Sequence, residues 1–479
     1  MSIKVYDTLR ADRFEFEPVR PGSVGMYVCG MTVQDKPHVG HMRAAVVGDV
    51  IRRTLAYFGH DVVFLNNFTD VDDKIIARGN QEGCDYQVIA ERNMTAYLEA
   101  VDKIGNLRAT HYPKATEHIP EIHELIERLV QKEVAYAAGG DVYFRVKKFA
   151  EYGKLSKRKV DDLRSGARIE PGEHKESPLD FAVWKGAKEG EPYWDSPWGK
   201  GRPGWHIECS AMAMKYLGET FDFHGGGLDL VFPHHENEIA QSEAATGKEF
   251  VRNWTHNGLV TLGGEKMSKS TQHFFLIEDL FARVDPATIR FYLLSTHYRS
   301  PIEFSEERLG EAGIAFGRLK ATAQALRDAL GAPPSREDVV EPMDPARIVD
   351  PELRTVLGLF QDAMRDDFNT AKAQGHLFEL CRLLNRFLAE PASGAKDEKI
   401  EEGARLFHHL GDFLGLELRE LGEVSVPDEI DALARARVEA RQAKDWAKAD
   451  QIRDELTALG WTVEDKGKTG EYVLKPKGC

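Results

Sequence analysis

The stretch Val231-Phe232-Pro233-His234-His235-Glu236-Asn237-Glu238 gathers two imidazoles and two carboxylates within about one turn of a proline. Proline suits the first position of a helix, so His234 and Glu238, four residues apart, would share one face and form half of a metal site. A His/Glu pair at that spacing is more often a solvated helix face. Two cysteines extend the pattern: Cys29 closes the apolar run VGMYVC, and Cys209 lies in the helical run WHIECSAMAMKYLG. A parallel sheet would bring both to its carboxyl ends, beside the helix that opens at 233. Two thiols, an imidazole and a carboxylate suit zinc, a borderline-soft ion that accepts sulfur, nitrogen and oxygen. The same cysteines also read as small buried hydrophobes, the commoner state of a free thiol, and spacing does not choose between the two readings.

A second set of residues has the chemistry to hold phosphates. Pro37-His38-Val39-Gly40-His41 falls between a strand and a helix, where N–H groups and the positive end of the helix dipole attract anions. His38 and His41 can donate hydrogen bonds to a nucleotide's phosphates, and Gly40 lets base or sugar approach the backbone. Far downstream, Gly263-Gly264-Glu265-Lys266-Met267-Ser268-Lys269-Ser270 sets two lysines three apart on a glycine-hinged loop. Such lysines are point charges able to follow a pyrophosphate as negative charge develops on it. The bland alternative is a lysine-bearing surface loop.

These residues need elements to position them. From Ser23 the order is strand (VGMYVC), loop (GMTVQDKPHVG), amphipathic helix to Tyr57 and strand (DVVFLNNF), a βαβ unit whose strands the right-handed crossover makes parallel. Residues 140–204 turn rich in Gly, Pro, Lys and Trp and read as an inserted, partly β module. Helical and strand patterns resume at Trp205. The reading is an α/β class with a Rossmann-like parallel-sheet domain in two halves, 1–114 and 205–250, split by a connective insertion at 115–204. A loop and stem-contact region follows at 251–307, then an α-helical bundle at 308–426 on a 3.6-residue pattern. The last module, 427–479, is α+β: helical runs at 428–442 and 445–459, Gly460 as stop, and strands WTVED and EYVLK around a KGKTG turn.

Composition narrows the class. The chain has 479 residues, 42% hydrophobic and 29% charged, enough to bury several cores. The first twenty residues lack an apolar h-region, and the most apolar helical run is broken by Asp49, Arg52 and Arg53, so neither export nor a membrane span is expected. Five scattered cysteines do not make a disulfide framework, and a reducing cytoplasm fits. The net charge of −15 advertises no nucleic-acid binding. Residues 428–479, however, carry ten Lys and Arg against eleven Asp and Glu, so a polyanion is permitted to dock there.

The motifs HVGH and KMSKS resemble the two signatures of class I aminoacyl-tRNA synthetases. Through YVCGMTVQDKPHVGH, NFTDVDDKI, GWHIECSAM, FDFHGGGLDLVFPHHENEIAQSEA and DDFNTAKA the chain is similar to the cysteinyl-tRNA synthetases from about residue 20 onward. The resemblance implies zinc on Cys29, Cys209, His234 and Glu238, joined by the thiolate of substrate L-cysteine. A metal that reads sulfur separates cysteine from serine better than a pocket that reads size. It implies ATP, with Mg2+, at His38, His41, Gly226, Asp229, Lys266, Ser268 and Lys269, with His38, His41, Lys266 and Lys269 acting on the phosphates. Thr69 and Trp205 would hold the amino acid's backbone end, with His224 near it. Arg441, Trp446 and Asp450 would contact the anticodon of tRNA(Cys), by stacking and by hydrogen bonds to exposed bases. A packed helical hairpin with Trp446 inside is the alternative for that module. The family habit is a monomer, and no editing domain is evident. One family pattern, K-I-I-K, stands here as Lys74-Ile75-Ile76-Ala77, which puts the cysteine-persulfide side activity associated with it in doubt. Three rivals share parts of the pattern. They are a cysteine ligase of mycothiol synthesis acting on glucosaminyl-inositol, a non-catalytic zinc and nucleotide-binding RNA regulator, and a plain nucleotidylyltransferase.

Overall fold

Strands β1 (Ser23–Val28), β2 (Asp61–Asn66), β3 (Phe221–Gly227) and β4 (Val251–Asn257) pair in parallel in the spatial order β4-β3-β1-β2. Helix α1 (Val39–Tyr57) links β1 to β2, and α2 (Trp205–Leu217) and α3 (Glu236–Thr246) flank β3 in sequence. The computed structural model describes residues 2–159, 174–262, 265–266, 275–331, 341–391, 394–419, 428–466 and 471–476. They divide into two units, of which the first comprises Met1–Arg283, Thr296–Glu303 and Arg365–Phe368.

Successive side chains of a strand point to opposite faces, and β1 uses both. Val24, Met26 and Val28 pack with Val47, Ile51 and Leu55 of α1. Tyr27 and Cys29 turn the other way and pack with Cys209, Met212 and Ile239 from α2 and α3. Burial on both faces explains why β1 and β2 read as nearly continuous apolar runs. Of the charges that interrupt α1, two are buried as a pair: Arg53 Nε donates to Asp49 Oδ2 at 2.8 Å. Because β2 and β3 lie on either side of β1, the crevice at the carboxyl ends of β1 and β3 is the topological switch point of the sheet, where ligands of open α/β folds bind.

Between β2 and α2 the chain forms a helix, Ile119–Gln131, and a four-stranded antiparallel sheet of Ala135–Ala138, Asp141–Phe144, Phe181–Gly186 and Gly201–Pro203. Ile122, Ile126, Phe144 and Trp184 pack there against Ile207 of α2 and Ala240 of α3, so the insertion shares a core with the helices behind the crevice.

Two details depart from the sequence reading. The sheet extends past the boundary drawn at 250, because β4 pairs with β3 from Val251↔Phe221 to Asn257↔Gly227. Its buried polar residues hide the apolar run: Asn253 Nδ2 donates to the carbonyl of Asp222, and His256 Nδ1 hydrogen-bonds Thr8 Oγ1. The regular part of the helix expected from 233 begins at Glu236, preceded by an irregular turn at Val231–His235 in which Phe232 is extended and its bond to Pro233 is cis.

The second unit comprises Val284–Ser295, Phe304–Met364 and Asn369–Cys479. Helices Glu306–Leu330, Thr370–Ala389 and Gly394–Phe413 bury Phe316, Leu319, Leu377, Leu384, Phe407 and Leu410. At its C-terminal end helices Asp428–Gln442 and Trp446–Ala458 and the hairpin Trp461–Lys466/Glu471–Pro476 close over Ile430, Ala434, Ile452, Leu456 and Trp461. Among the described residues no helix is long and apolar enough to cross a membrane.

Candidate active site and metal centre

The cluster forms where β1, α2, β3 and α3 meet. Cys29 is carried just past β1, and the next residue, Gly30, admits no side chain because a Cβ there would lie 1.6 Å from the carbonyl oxygen of Asn67. The close approach keeps Cys29 at the edge of the crevice. Its Sγ lies 4.0 Å from Cys209 Sγ and 3.7 Å from Glu238 Oε1. His234 Nε2 lies 3.1 Å from the same Glu238 oxygen, so the i, i+4 pair does share a face. A tetrahedral ion with bonds of about 2.0–2.3 Å needs edges of about 3.8 Å between sulfurs, 3.6 Å from sulfur to oxygen and 3.4 Å from nitrogen to oxygen. The three measured edges agree to within a few tenths of an ångström, and the four side chains fit zinc.

Electrostatics point the same way. His234 is drawn up to about 10: burial works against its charge, but Glu238 and Cys209 outweigh it. Glu238 is held down to about 2, where burial is overcome by His224 and His234. Cys209, hydrogen-bonded by the Cys29 thiol, is lowered to about 6, while burial and its anionic neighbours push the Cys29 thiol up. Carboxylate and thiolate thus converge, fully buried, on a point that gathers positive charge.

A second ring of residues surrounds these four, in which the sequence reading had named His224 and His235 but not His206 or His256. His206 Nδ1 and His234 Nδ1 share a hydrogen bond of 2.9 Å, which leaves His234 Nε2 facing Glu238 and orients the ring, as outer-shell partners of metal ligands do. His235 Nε2 lies 3.3 Å from Cys29 Sγ, and its Nδ1 is joined to His256 Nε2 at 2.8 Å. Cys29, His224, His235 and Glu238 make an overlapping donor set. It offers one sulfur rather than two, and His256 orients His235 as His206 orients His234. Beyond His224, the only signal for this ring was the doubled histidine at 234–235.

A cavity of about 330 Å³ opens beside the cluster, lined among others by Cys29, His38, Gly40, His41, Trp205, Gly227, Asp229 and Asn257. Cys29 alone of the four candidate ligands reaches its wall. Trp205 is 36% exposed and stacks on His234, with ring centroids 4.3 Å apart, so it bridges cluster and cavity. In the same cavity His38 caps α1 by accepting from the Gly40 N–H through Nδ1 at 3.1 Å, and His41 Nδ1 accepts from the His38 N–H at 3.2 Å. The two rings stack with centroids 3.7 Å apart. HVGH is therefore also a reciprocal capping box, with imidazoles in the usual hydroxyl and carboxamide roles.

Other expected residues sit elsewhere. His224 does not line the cavity: it is wholly buried and hydrogen-bonds Glu238 Oε2 at 2.9 Å, backing the metal cluster because β3 turns it toward α3. Thr69 is also buried, with its hydroxyl on Glu208 Oε2 at 3.1 Å. Gly226 lies inside β3 beneath Leu230 and His235, one residue short of the cavity wall formed by Gly227 and Asp229. The backbone of Lys266 pairs with Thr261, whereas Ser268 and Lys269 lie outside the described residues. In the other unit Trp446 is 59% exposed at the start of its helix, Asp450 pairs with Arg453 at 3.2 Å, and Arg441 closes the preceding helix. The indole is not packed inside the hairpin.

A parallel sheet with its crevice at β1/β3, HVGH capping the first helix, and a thiol-rich donor set beside the crevice define a class I aminoacyl-tRNA synthetase. Residues 15–313 match the family of class I (C) tRNA synthetase catalytic domains, residues 359–419 the DALR domain, and residues 423–472 the cysteinyl-tRNA ligase anticodon-binding domain. The chain is 50% identical over 491 residues to a cysteine–tRNA ligase of Geobacter metallireducens, covering 99% of this chain and 100% of the relative. It is 48% identical over 481 residues to that of Syntrophotalea carbinolica, covering 97% and 98%. Mycobacterium tuberculosis methionyl-tRNA synthetase, solved with methionyl-adenylate, shares the fold with a TM-score of 0.58 at 16% identity, over 82% of this chain and 92% of that one. The chain belongs to the cysteinyl-tRNA ligase family and is a ligase of class I.

Proposed function

We propose that the chain activates L-cysteine with Mg-ATP and transfers it to the 3′ adenosine of tRNA(Cys), with zinc on Cys29, Cys209, His234 and Glu238 selecting the substrate. The observation that carries this reading is the donor set of Cys29, Cys209, His234 and Glu238, whose Cys29 lines the same cavity as His38, Gly40 and His41. Zinc, when bound, supplies a soft Lewis acid that takes sulfur as thiolate and has little use for serine's hydroxyl. Trp205, exposed between cluster and cavity, is suited to pack on the amino acid, and the buried Thr69–Glu208 pair supports the adjoining turn.

The cysteine carboxylate attacks the α-phosphate; a carbonyl–oxygen–phosphorus anhydride forms and the bond to pyrophosphate breaks. His38 and His41, which cap α1 through Nδ1, donate to the phosphates through Nε2–H, while Lys266 and Lys269, with Ser268, meet the charge growing on pyrophosphate. Gly226, Gly227 and Asp229 shape the adenosine side. The terminal adenosine hydroxyl of tRNA then attacks the anhydride, releasing AMP. Exposure of Trp446 beside Arg441 and Asp450 supports stacking on anticodon bases, a role a mycothiol-type ligase would not need. The protein works as a cytoplasmic monomer. Purified protein with Mg-ATP, labelled cysteine and unfractionated tRNA should place label on RNA, and serine should not. Transfer to glucosaminyl-inositol in place of tRNA would refute the assignment.

A further inference from the structure

Residues Thr296–Glu303 belong to the catalytic unit, and buried charge grips them from two sides. Arg43, in the second turn of α1 and two residues past His41, directs Nη2 at the carbonyl oxygens of Thr296, His297 and Tyr298 at 3.2, 3.1 and 3.4 Å. From the other side the wholly buried Asp367 accepts from Tyr298 Oη at 2.9 Å, Arg299 Nε at 2.8 Å and the Tyr6 N–H at 3.0 Å. Asp367 and Phe368 hold φ at 59° and 54°, a region that side chains other than glycine rarely visit. Such a turn persists only where its surroundings over-determine it. Here the Phe368 ring packs on Phe223 of β3 and on Tyr298.

From Tyr298 onward the segment carries a backbone ladder. The Gly258 N–H donates to the carbonyl of Tyr298 at 2.8 Å, and the Ile302 N–H to that of Leu259 at 3.0 Å. Val260–Leu262 then pairs in parallel with Ile302–Glu303 and antiparallel with Glu265–Lys266. One hydrogen-bonded path therefore runs from the histidine end of α1, through Arg43 and residues 296–303, to the strand that bears Lys266. Nothing about an ordinary surface loop calls for a buried guanidinium and a buried carboxylate, both of which are costly to desolvate.

We propose that residues 296–303 are a strut, held by Arg43 and Asp367, that sets the position of the Lys266 strand relative to His38 and His41. Arg43, Tyr298 and Asp367 are then positioning residues for adenylate formation. The inference rests on the reading of Lys266 as a pyrophosphate-facing charge. Opposed groups must be held to a fraction of an ångström, because a misplacement of about 1 Å originating far from the chemistry can cost about a hundredfold in rate.

Asp367→Asn tests it with little change of shape. The amide keeps an oxygen for the Tyr6 N–H and the Tyr298 hydroxyl but turns an NH2 toward Arg299 Nε. Tyr298→Phe removes a single hydroxyl and is the second variant should the first fold poorly. The full-length zinc-loaded protein is assayed for ATP–pyrophosphate exchange, KM for ATP and cysteine, zinc per chain and thermal midpoint, with Lys266→Ala in parallel. The expected result is a kcat lowered about tenfold to a hundredfold in Asp367→Asn, and by a smaller factor in Tyr298→Phe, with zinc content and the cysteine KM held within about twofold. Variants that melt earlier but exchange at the full rate would make the segment scaffolding only and overturn the strut. If Lys266→Ala itself exchanges normally, the reading of Lys266 falls instead, whatever Asp367→Asn does.

Discussion

Glu238 is the least expected member of a sulfur-selecting centre, and Glu238→Gln isolates what its charge does. The substitution preserves volume at a site with no solvent exposure and leaves an oxygen able to accept from one of the two histidines that now flank it, His224 at 2.9 Å and His234 at 3.1 Å. Zinc bound by four protein ligands is worth about 10–16 kcal/mol, or roughly 3 kcal/mol per ligand if shared evenly. Exchanging a carboxylate for a neutral amide oxygen removes most of one share, so zinc affinity should fall on the order of a hundredfold. Competition against a chromogenic chelator measures zinc, and calorimetry with cysteine and with serine measures what the metal selects. Cysteine affinity should fall with zinc occupancy, whereas binding of serine, which gains little from the metal, should hardly change. Unchanged zinc affinity together with unchanged cysteine affinity would remove Glu238 from the centre. A parallel His235→Asn protein separates the two overlapping donor sets, since it should retain zinc if His234 is the ligand.

Lys269→Ala should slow adenylate formation by at least about tenfold while cysteine binding stays within about twofold, as a group acting mainly in the transition state requires; rapid quench against equilibrium titration distinguishes the two, and equal losses would count against that role. Trp446→Ala should raise the KM for tRNA(Cys) by roughly tenfold without altering ATP–pyrophosphate exchange, on the 1–3 kcal/mol per base measured for aromatic stacking; normal charging by a folded variant would return Trp446 to a purely structural role. Burial, with Arg419 and Arg327 nearby, lowers His408 to about 4, and burial with Arg419 lowers His409 likewise. Both values lie below the ordinary 6.5, so as pH falls the unfolded chain takes up protons first, and the bundle should be fully stable above pH 6.5 and weaken toward pH 4. His408 alone accounts for a loss on the order of 3 kcal/mol between pH 6.5 and pH 4. Urea midpoints at pH 7 and 4.5 should diverge less in His408→Leu/His409→Leu than in the parent, and identical slopes would contradict the assignment.

What the sequence determined by itself was local. Hydrophobic period, glycine stops and proline placement are set by sterics within a few residues, so the βαβ order, the bundle helices and the C-terminal hairpin pattern were legible without coordinates. Of the candidate ligands the linear pattern offered the i, i+4 pair His234–Glu238, while Cys29 and Cys209 stayed open between ligands and buried hydrophobes until the family resemblance implied the set of four. Tertiary structure decided the rest. Cys29 and Cys209 are 180 positions apart, and only the strand order β4-β3-β1-β2 and the alternation of β1 turn both thiols to the same side of the sheet. The side to which β3 directs His224, toward Glu238 rather than the cavity, follows from the register Tyr27↔His224 rather than from composition. β4 escaped notice for a related reason: its asparagines, threonine and histidine look exposed in a linear reading, and only the neighbouring strand and the β-hairpin at Lys4–Glu15 supply partners that allow them to be buried. Side-chain chemistry is written residue by residue, whereas distances between remote side chains exist only once crossover, register and burial have been chosen together.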